Sequence, residues 1–459
     1  MNRHALRRAL YSLHLPAFAG VVLGLVTLAA PTLSAAPASA AGPAKALAAR
    51  PAPAARRTSE AVAESLFTAL RRRDYDGAFA LFDERMKDAV PLEKLKTVWE
   101  DQLSRLGAFV SWTQEAGDPV QGQDVRLAAL QLEHGQLKGM VTIDPATAKV
   151  SGFFIRPVAS PPASAAAYVD TTKFHVVETH VGSDAMPLGA TLTLPVGKGP
   201  FPAAILVHGS GPQDRDETIG GSKVFRDIAE GLSSRGVAVL RYDKRTLRYP
   251  EKMKDKPTID DEVILDAVSA VAALRARPDI DTKRVVVIGH SLGALLAPEI
   301  GVRAAPVAGV VLLAPPGRKP WDIVIGQMRY LGMPDSQIAG MERSVADIKA
   351  GKDETLLGAP GSYWRDWAAR DGFAMARKLG KPILILRGER DYQVEDVDVE
   401  AWRKALGGAP NVEIVTLPAL NHLFIAGTGK PGPSEYETPG HVDRVVIDKV
   451  AAFVSAPGR

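Results

Sequence analysis

The 459-residue chain contains no cysteine. That excludes disulfide staples, thiol catalysis and thiolate-bound zinc or iron–sulfur centres, so stability has to come from packing. Aromatic residues are sparse, at 6%. The positive excess is also slight: of a formal net charge of +4, Arg3, Arg7 and Arg8 supply three. No clustered basic face for nucleic acid follows from the remainder, and "RRR" at Arg71–Arg73 reads as a solvated helix end. HExxH is absent, as is GxGxxG after a strand, so neither a metal nor an organic cofactor is implied.

What is present describes a globular protein, with 46% hydrophobic and 24% charged residues in a chain too long for one ordinary domain. Residues 1–40 have the form of a secretory signal peptide. Three arginines precede an apolar stretch from Leu15 to Ala30, and "ASA" at Ala38–Ala40 offers small residues for cleavage. The stretch is interrupted at Pro16, is followed by Pro31, and falls short of the roughly 20 residues of a membrane span. The expectation is export, periplasmic or secreted, with no stable membrane anchor once the signal is cleaved.

Residues 41–57 are Ala- and Pro-rich and aperiodic, a flexible leader. Between 58 and 156, Leu66, Phe67, Leu70, Ala78, Leu81 and Phe82 lie on helical faces either side of "RRDYDG". "AFVSWTQE", "VRLAALQLEHG", "LKGMVTID" and "VSGFFIRP" then read as strands of one antiparallel sheet, which predicts a small α+β domain. A linker covers 157–167. From 168 to 459, eight apolar strands are expected at 174–180, 189–195, 203–209, 237–243, 284–290, 309–315, 382–388 and 412–418. Strands apolar on both faces and separated by helices predict a mostly parallel sheet covered on both sides. Residues 316–381 interrupt this rhythm and hold Trp321, Tyr330, Tyr363, Trp364 and Trp367, the pattern of a cap inserted over a site at the carboxyl edge of the sheet.

"VVVIGHSLGA", Val285–Ala294, is a buried strand that turns at once into a helix. GxSxG is a weak signal alone; the strand before and the helix after give it weight. Gly289 and Gly293 suit a turn too tight for side chains, with Ser291 exposed at its apex. A serine nucleophile needs a base, and the base an orienting acid. Where such an elbow carries a triad, acid and histidine follow in that order. Downstream lie only His422, in a loop after the last strand, and His441, which opens the terminal helix. His422 is the candidate base. Asp391, after the penultimate strand, is the candidate acid, with Glu389, Asp396 and Asp398 as competitors.

Two backbone N–H groups must meet the developing oxyanion. Leu292, next to the serine, supplies one candidate. "HGSG", His208–Gly211, supplies the other at Ser210, with Gly211 as competitor, and Gly209 and Gly211 let the loop turn its amides inward. Asp214, Arg215, Asp216, Asp243, Lys244 and Arg245 near the same edge read first as structural ion pairs.

Residues 168–459 thus resemble the α/β-hydrolase superfamily. "HGSGPQDRDE" and "RYDKR" resemble a bacterial esterase group close to dienelactone-hydrolase-like and serine-aminopeptidase-like members, which often have "RYDKRG" where this chain has "RYDKRT". "RRRDYDGAFALFD" resembles a cystatin-like or nuclear-transport-factor-like domain found ahead of some such hydrolases. The resemblance implies a carboxylesterase acting through an acyl-enzyme, and the aromatic insertion points to small acyl or aryl esters. A serine peptidase of the same fold and a catalytically dead binding protein are the alternatives. The intact Ser, Asp and His argue against the last. The partner expected is a small-molecule ester, and no oligomeric state follows from the sequence.

Overall fold

A computed structural model describes residues 57–119, 122–133, 135–157, 164–253, 257–304 and 306–456. The expected signal peptide, all but the last residue of the expected leader, and 158–163 of the expected linker lie outside them. The described residues divide into two compact units, which part between Pro157 and Ser164.

In the smaller unit, Thr58 caps helix α1 (Ser59–Arg71) by accepting the Ala61 N–H. Short helices α2 (Tyr75–Ala80) and α3 (Glu84–Ala89) follow, then α4 (Leu92–Leu106). The periodicity reading did not anticipate α4, yet its Trp99 is 1% exposed and among the largest side chains in the core. Four antiparallel strands, β1 (Phe109–Ala116), β2 (Asp124–Leu132), β3 (Gly135–Asp144) and β4 (Lys149–Pro157), form a meander in chain order. Leu66, Phe67, Leu70, Leu130, Leu137 and Val141 join helices and sheet into one core.

The larger unit is built on eight strands: β5 (Phe174–Ser183), β6 (Met186–Pro195), β7 (Phe201–Val207), β8 (Ala238–Tyr242), β9 (Ile280–His290), β10 (Gly309–Leu313), β11 (Ile383–Gly388) and β12 (Val412–Leu417). Their order across the sheet is β12-β11-β10-β9-β7-β8-β6-β5. β7 to β12 pair in parallel, while β6 is antiparallel to β8 and β5 to β6. All eight overlap the strands expected from apolar runs.

The reason such runs work is visible in β7 and β9. Ala203, Ile205 and Val207, with Val285 and Val287, enter the core on one face. Ala204 and Leu206, with Val286 and Ile288, enter the core on the other. A strand whose alternate residues are buried on opposite faces has no polar positions to show. Helices α5 (Val224–Ser233), α6 (Leu265–Arg275) and α7 (Leu292–Arg303) connect the first parallel strands. The 316–381 insertion holds α8 (Pro320–Tyr330), α9 (Asp335–Lys349), α10 (Gly361–Ala369) and α11 (Gly372–Leu379). Helix α12 (Asp396–Leu406) separates β11 from β12, and α13 (Arg444–Ser455) ends the fold.

Candidate active site

Parallel pairing dictates where the chemistry-bearing loops meet. Ser210 follows β7, Ser291 follows β9, Asp391 follows β11 and His422 follows β12, so all four leave the carboxyl edge of one sheet. The chain order reverses between β7 and β9, where β8 goes to one side and β10 to the other. Such a switch point opens a crevice at that edge.

Ser291 sits at φ 53°, ψ −118°, a strained conformation for a residue with a side chain. Its N–H donates to the Leu313 carbonyl (2.9 Å), which ties the turn to β10. A Cβ on Gly289 would overlap the Gly293 carbonyl, and one on Gly293 would overlap the Val207 carbonyl. Both glycines are therefore demanded by backbone-on-backbone contact. Leu292 opens α7, and its N–H precedes any carbonyl that could take it within the helix. The positive end of α7 thus lies beside the serine.

His422 and Asp391 are both buried, and Nδ1 lies 2.7 Å from Asp391 Oδ2. The other Asp391 oxygen accepts the Gln393 and Val394 N–H groups, each at 2.9 Å. The carboxylate is thereby fixed from both ends. With an acceptor on Nδ1, that nitrogen carries the proton and Nε2 is left as a base. The competitors are engaged elsewhere. His441 pairs with Asp227 (3.0 Å), Asp396 with Arg387 (2.6 Å) and Asp398 with Arg318 (2.7 Å), while Glu389 is exposed.

The HGSG loop packs on the elbow, and a Cβ at Gly209 would lie 3.3 Å from that of Ser291. The Gly209 N–H donates to Glu217 (3.1 Å) and the Gly211 N–H to Glu262 (3.1 Å). Gly211 is therefore committed, and the Ser210 amide lies between the two. Glu262 lies on a π-helical turn, Asp260–Ile264. It also accepts from Lys244 Nζ (2.6 Å), and its other oxygen accepts the Tyr363 hydroxyl (2.7 Å). Burial, with the Glu262 charge beside it, holds the Tyr363 phenol well above its usual range, so Tyr363 is a neutral donor. One residue of the insertion thus stands two hydrogen bonds from the HGSG loop.

Of the other charges at this edge, Arg215 pairs with Asp243 and Glu178, Asp216 with Lys223 and Arg241, and Arg245 with Asp266, whereas the Asp214 carboxylate accepts the Thr218 N–H and hydroxyl instead of pairing with a base. Tyr363, Trp364 and Trp367 are buried, Trp364 stacked on Trp367 and Tyr363 edge-on to both, and all three join the core on one face of the sheet. Glu217, His290 and Glu262 carry no sequence motif of their own; the signal that points to Glu217 and His290 is adjacency, the end of "HGSGPQDRDE" and the residue before Ser291. Among the described residues no group of three or more His, Asp or Glu side chains is arranged to hold a metal ion.

Residues 204–428 match the Alpha/beta hydrolase family. Esterase EstD of Thermotoga maritima is 38% identical over 399 residues, covering 84% of this chain and 92% of EstD. Among solved structures, Est1E from Butyrivibrio proteoclasticus with ferulic acid bound is 20% identical, with a TM-score of 0.43, over 60% of this chain and 97% of Est1E. The Pyrococcus furiosus esterase Pf2001 is 19% identical, with a TM-score of 0.38, over 57% of this chain and 89% of its own.

Proposed function

The chain belongs to the alpha/beta hydrolase family, and from that premise we propose that it is a serine carboxylesterase acting on small acyl or aryl esters. The observation that carries this reading is the buried His422–Asp391 pair at 2.7 Å, set on the same sheet edge as the strained Ser291 turn. Ser291 Oγ attacks the ester carbonyl while His422 Nε2 takes its proton. The oxyanion that forms is met by the Ser210 and Leu292 N–H groups. His422 then protonates the leaving alcohol, and water releases the acyl-enzyme by the same route in reverse. Asp391 keeps the imidazole in one tautomer and stabilises its charged form.

The esterase reading draws further support from the name of EstD, which matches along nearly its whole length. A peptidase of the aminopeptidase kind needs paired acids for the substrate amine. Asp396 and Asp398 are each held by an arginine, which leaves Glu389 alone. Export through residues 1–40 completes the proposal, with action in the periplasm or outside the cell. Among the described residues no helix is long and apolar enough to cross a membrane.

The test is turnover of p-nitrophenyl esters from acetate to laurate beside aminoacyl p-nitroanilides, with Ser291→Ala as control. Ester turnover that disappears in the variant supports the proposal. Anilide turnover with little on esters replaces it with the peptidase.

A further inference from the structure

Beneath the elbow lies a second acid–imidazole pair that the reaction above does not use. Glu217 is 0% exposed and His290 2% exposed. Glu217 Oε1 lies 3.0 Å from His290 Nδ1 and also accepts the Gly209 N–H at 3.1 Å. His290 Nε2 lies 3.0 Å from the His422 carbonyl oxygen. Both partners of the imidazole are acceptors only, so both ring nitrogens must donate and His290 is an imidazolium.

Two features of Glu217 cost stability. Its backbone has φ 47°, in the left-handed region. Its second oxygen, Oε2, is buried with no partner among the described residues. Packing alone is better served by an apolar residue at such a place. What the charged residue does do is bridge two loops. From one oxygen it reaches the amide next to Ser210; through His290 it reaches the backbone of the base itself.

We propose that Glu217 and His290 form a buried ion pair that acts as a positioning device, holding the oxyanion amide and the catalytic histidine in register with each other. This rests on the Ser291–His422–Asp391 reading and adds to it a residue pair that touches no reacting atom. Burial opposes the charge on His290, but Glu217 outweighs it and keeps the imidazole above its usual value. Burial likewise opposes the Glu217 carboxylate, and His290 outweighs it and keeps Glu217 below its usual value.

The test uses the full chain and three variants, Glu217→Gln, Glu217→Ala and Ser291→Ala. Glutamine keeps the shape and an oxygen for Gly209 and His290, but it removes the negative charge that keeps the imidazole protonated. The expected result for Glu217→Gln is a fall in kcat of about 10- to 100-fold with KM within about twofold, and a larger fall for alanine. Affinity for a trifluoromethyl ketone, whose adduct places an oxyanion in the hole, falls by the same factor as kcat/KM. In ¹⁵N spectra His290 of the parent chain shows both ring nitrogens protonated, and in Glu217→Gln only one. A lowered melting temperature with kcat and ketone affinity unchanged would overturn the proposal, since a merely structural pair behaves that way. Neutral His290 in the parent chain overturns it too. Turnover that survives in Ser291→Ala removes the triad reading instead, so the two failures are told apart.

Discussion

Replacing Asp391 by asparagine exchanges one carboxylate oxygen for an amide nitrogen and reverses what His422 Nδ1 meets. The remaining oxygen of the new side chain is drawn to the Gln393 and Val394 N–H groups that Asp391 Oδ1 now accepts. Its NH₂ then faces Nδ1 and favours the wrong imidazole tautomer. Asp391→Asn is expected to lower kcat by about 10⁴-fold with the fold intact, read by ester kinetics beside a circular dichroism melt. His208 supports a different prediction. It is fully buried and its Nε2–H donates to the Asp214 carbonyl (2.9 Å). Burial pushes its imidazole down to about 4, with Glu217 opposing and Lys244 assisting. The unfolded chain, near 6.5, binds a proton that the fold refuses between those values. Stability is therefore complete above pH 6.5 and falls as pH drops towards 4, by about 3 kcal/mol from this residue. Glu217, held low in the fold, loses stability in the same direction, whereas the raised His290 contributes most at low pH and loses its contribution as pH rises. Urea titrations at pH 7 and pH 4.5 measure the net slope. His208→Gln keeps a donor for Asp214 and should flatten that slope; an unchanged slope counts against a buried neutral His208.

At the scale of elements, the strand–turn–helix from β9 to α7 is held by contacts between backbones. Gly289→Ala and Gly293→Ala each drive a methyl group into a carbonyl oxygen, of Gly293 and Val207 respectively. Neither neighbour can swing aside as a side chain could. Each change is expected to cost at least about 2 kcal/mol and to abolish turnover, measured by denaturant unfolding and ester assay. Tyr363→Phe acts through α10: it leaves one Glu262 oxygen buried without its donor and should cost about 1–3 kcal/mol, with turnover lowered only severalfold. These elements also show what a single sequence reveals. The eight strands were legible because residues such as Val285 to Ile288 are apolar on both faces. The placement of Ser291, Asp391 and His422 at one sheet edge was legible because each follows such a strand. Glu217 and Glu262 were not, because a carboxylate in a sequence looks the same whether solvated or buried. Their partners His290 and Gly211 are 73 and 51 residues away in the chain, and only the folded sheet edge brings them together. What the aromatics of the insertion touch is hidden from the sequence for the same reason. Tyr363, Trp364 and Trp367 read as part of a cap, but they are buried against one another and join the core on one face of the sheet.

For the whole molecule, the cores set the expected cooperativity. Leu66, Phe67 and Trp99 belong to a core confined to the smaller unit, while the faces of the eight-stranded sheet bury two others. Unfolding should therefore show two calorimetric transitions rather than one. Leu66→Ala should lower one transition by about 2–5 kcal/mol of stability and leave the other in place. Ester turnover, whose residues all lie between 208 and 422, should survive that change below the lower transition. The central claim is that the serine at the apex of the β9–α7 turn becomes acylated. It is tested most directly by mass spectrometry after treatment with diethyl p-nitrophenyl phosphate, which leaves a stable phosphoryl group on an activated serine. Stoichiometric labelling of the peptide that contains Ser291 is expected, with activity lost in proportion. A label on any other residue, or full inactivation with Ser291 unmodified, would contradict it.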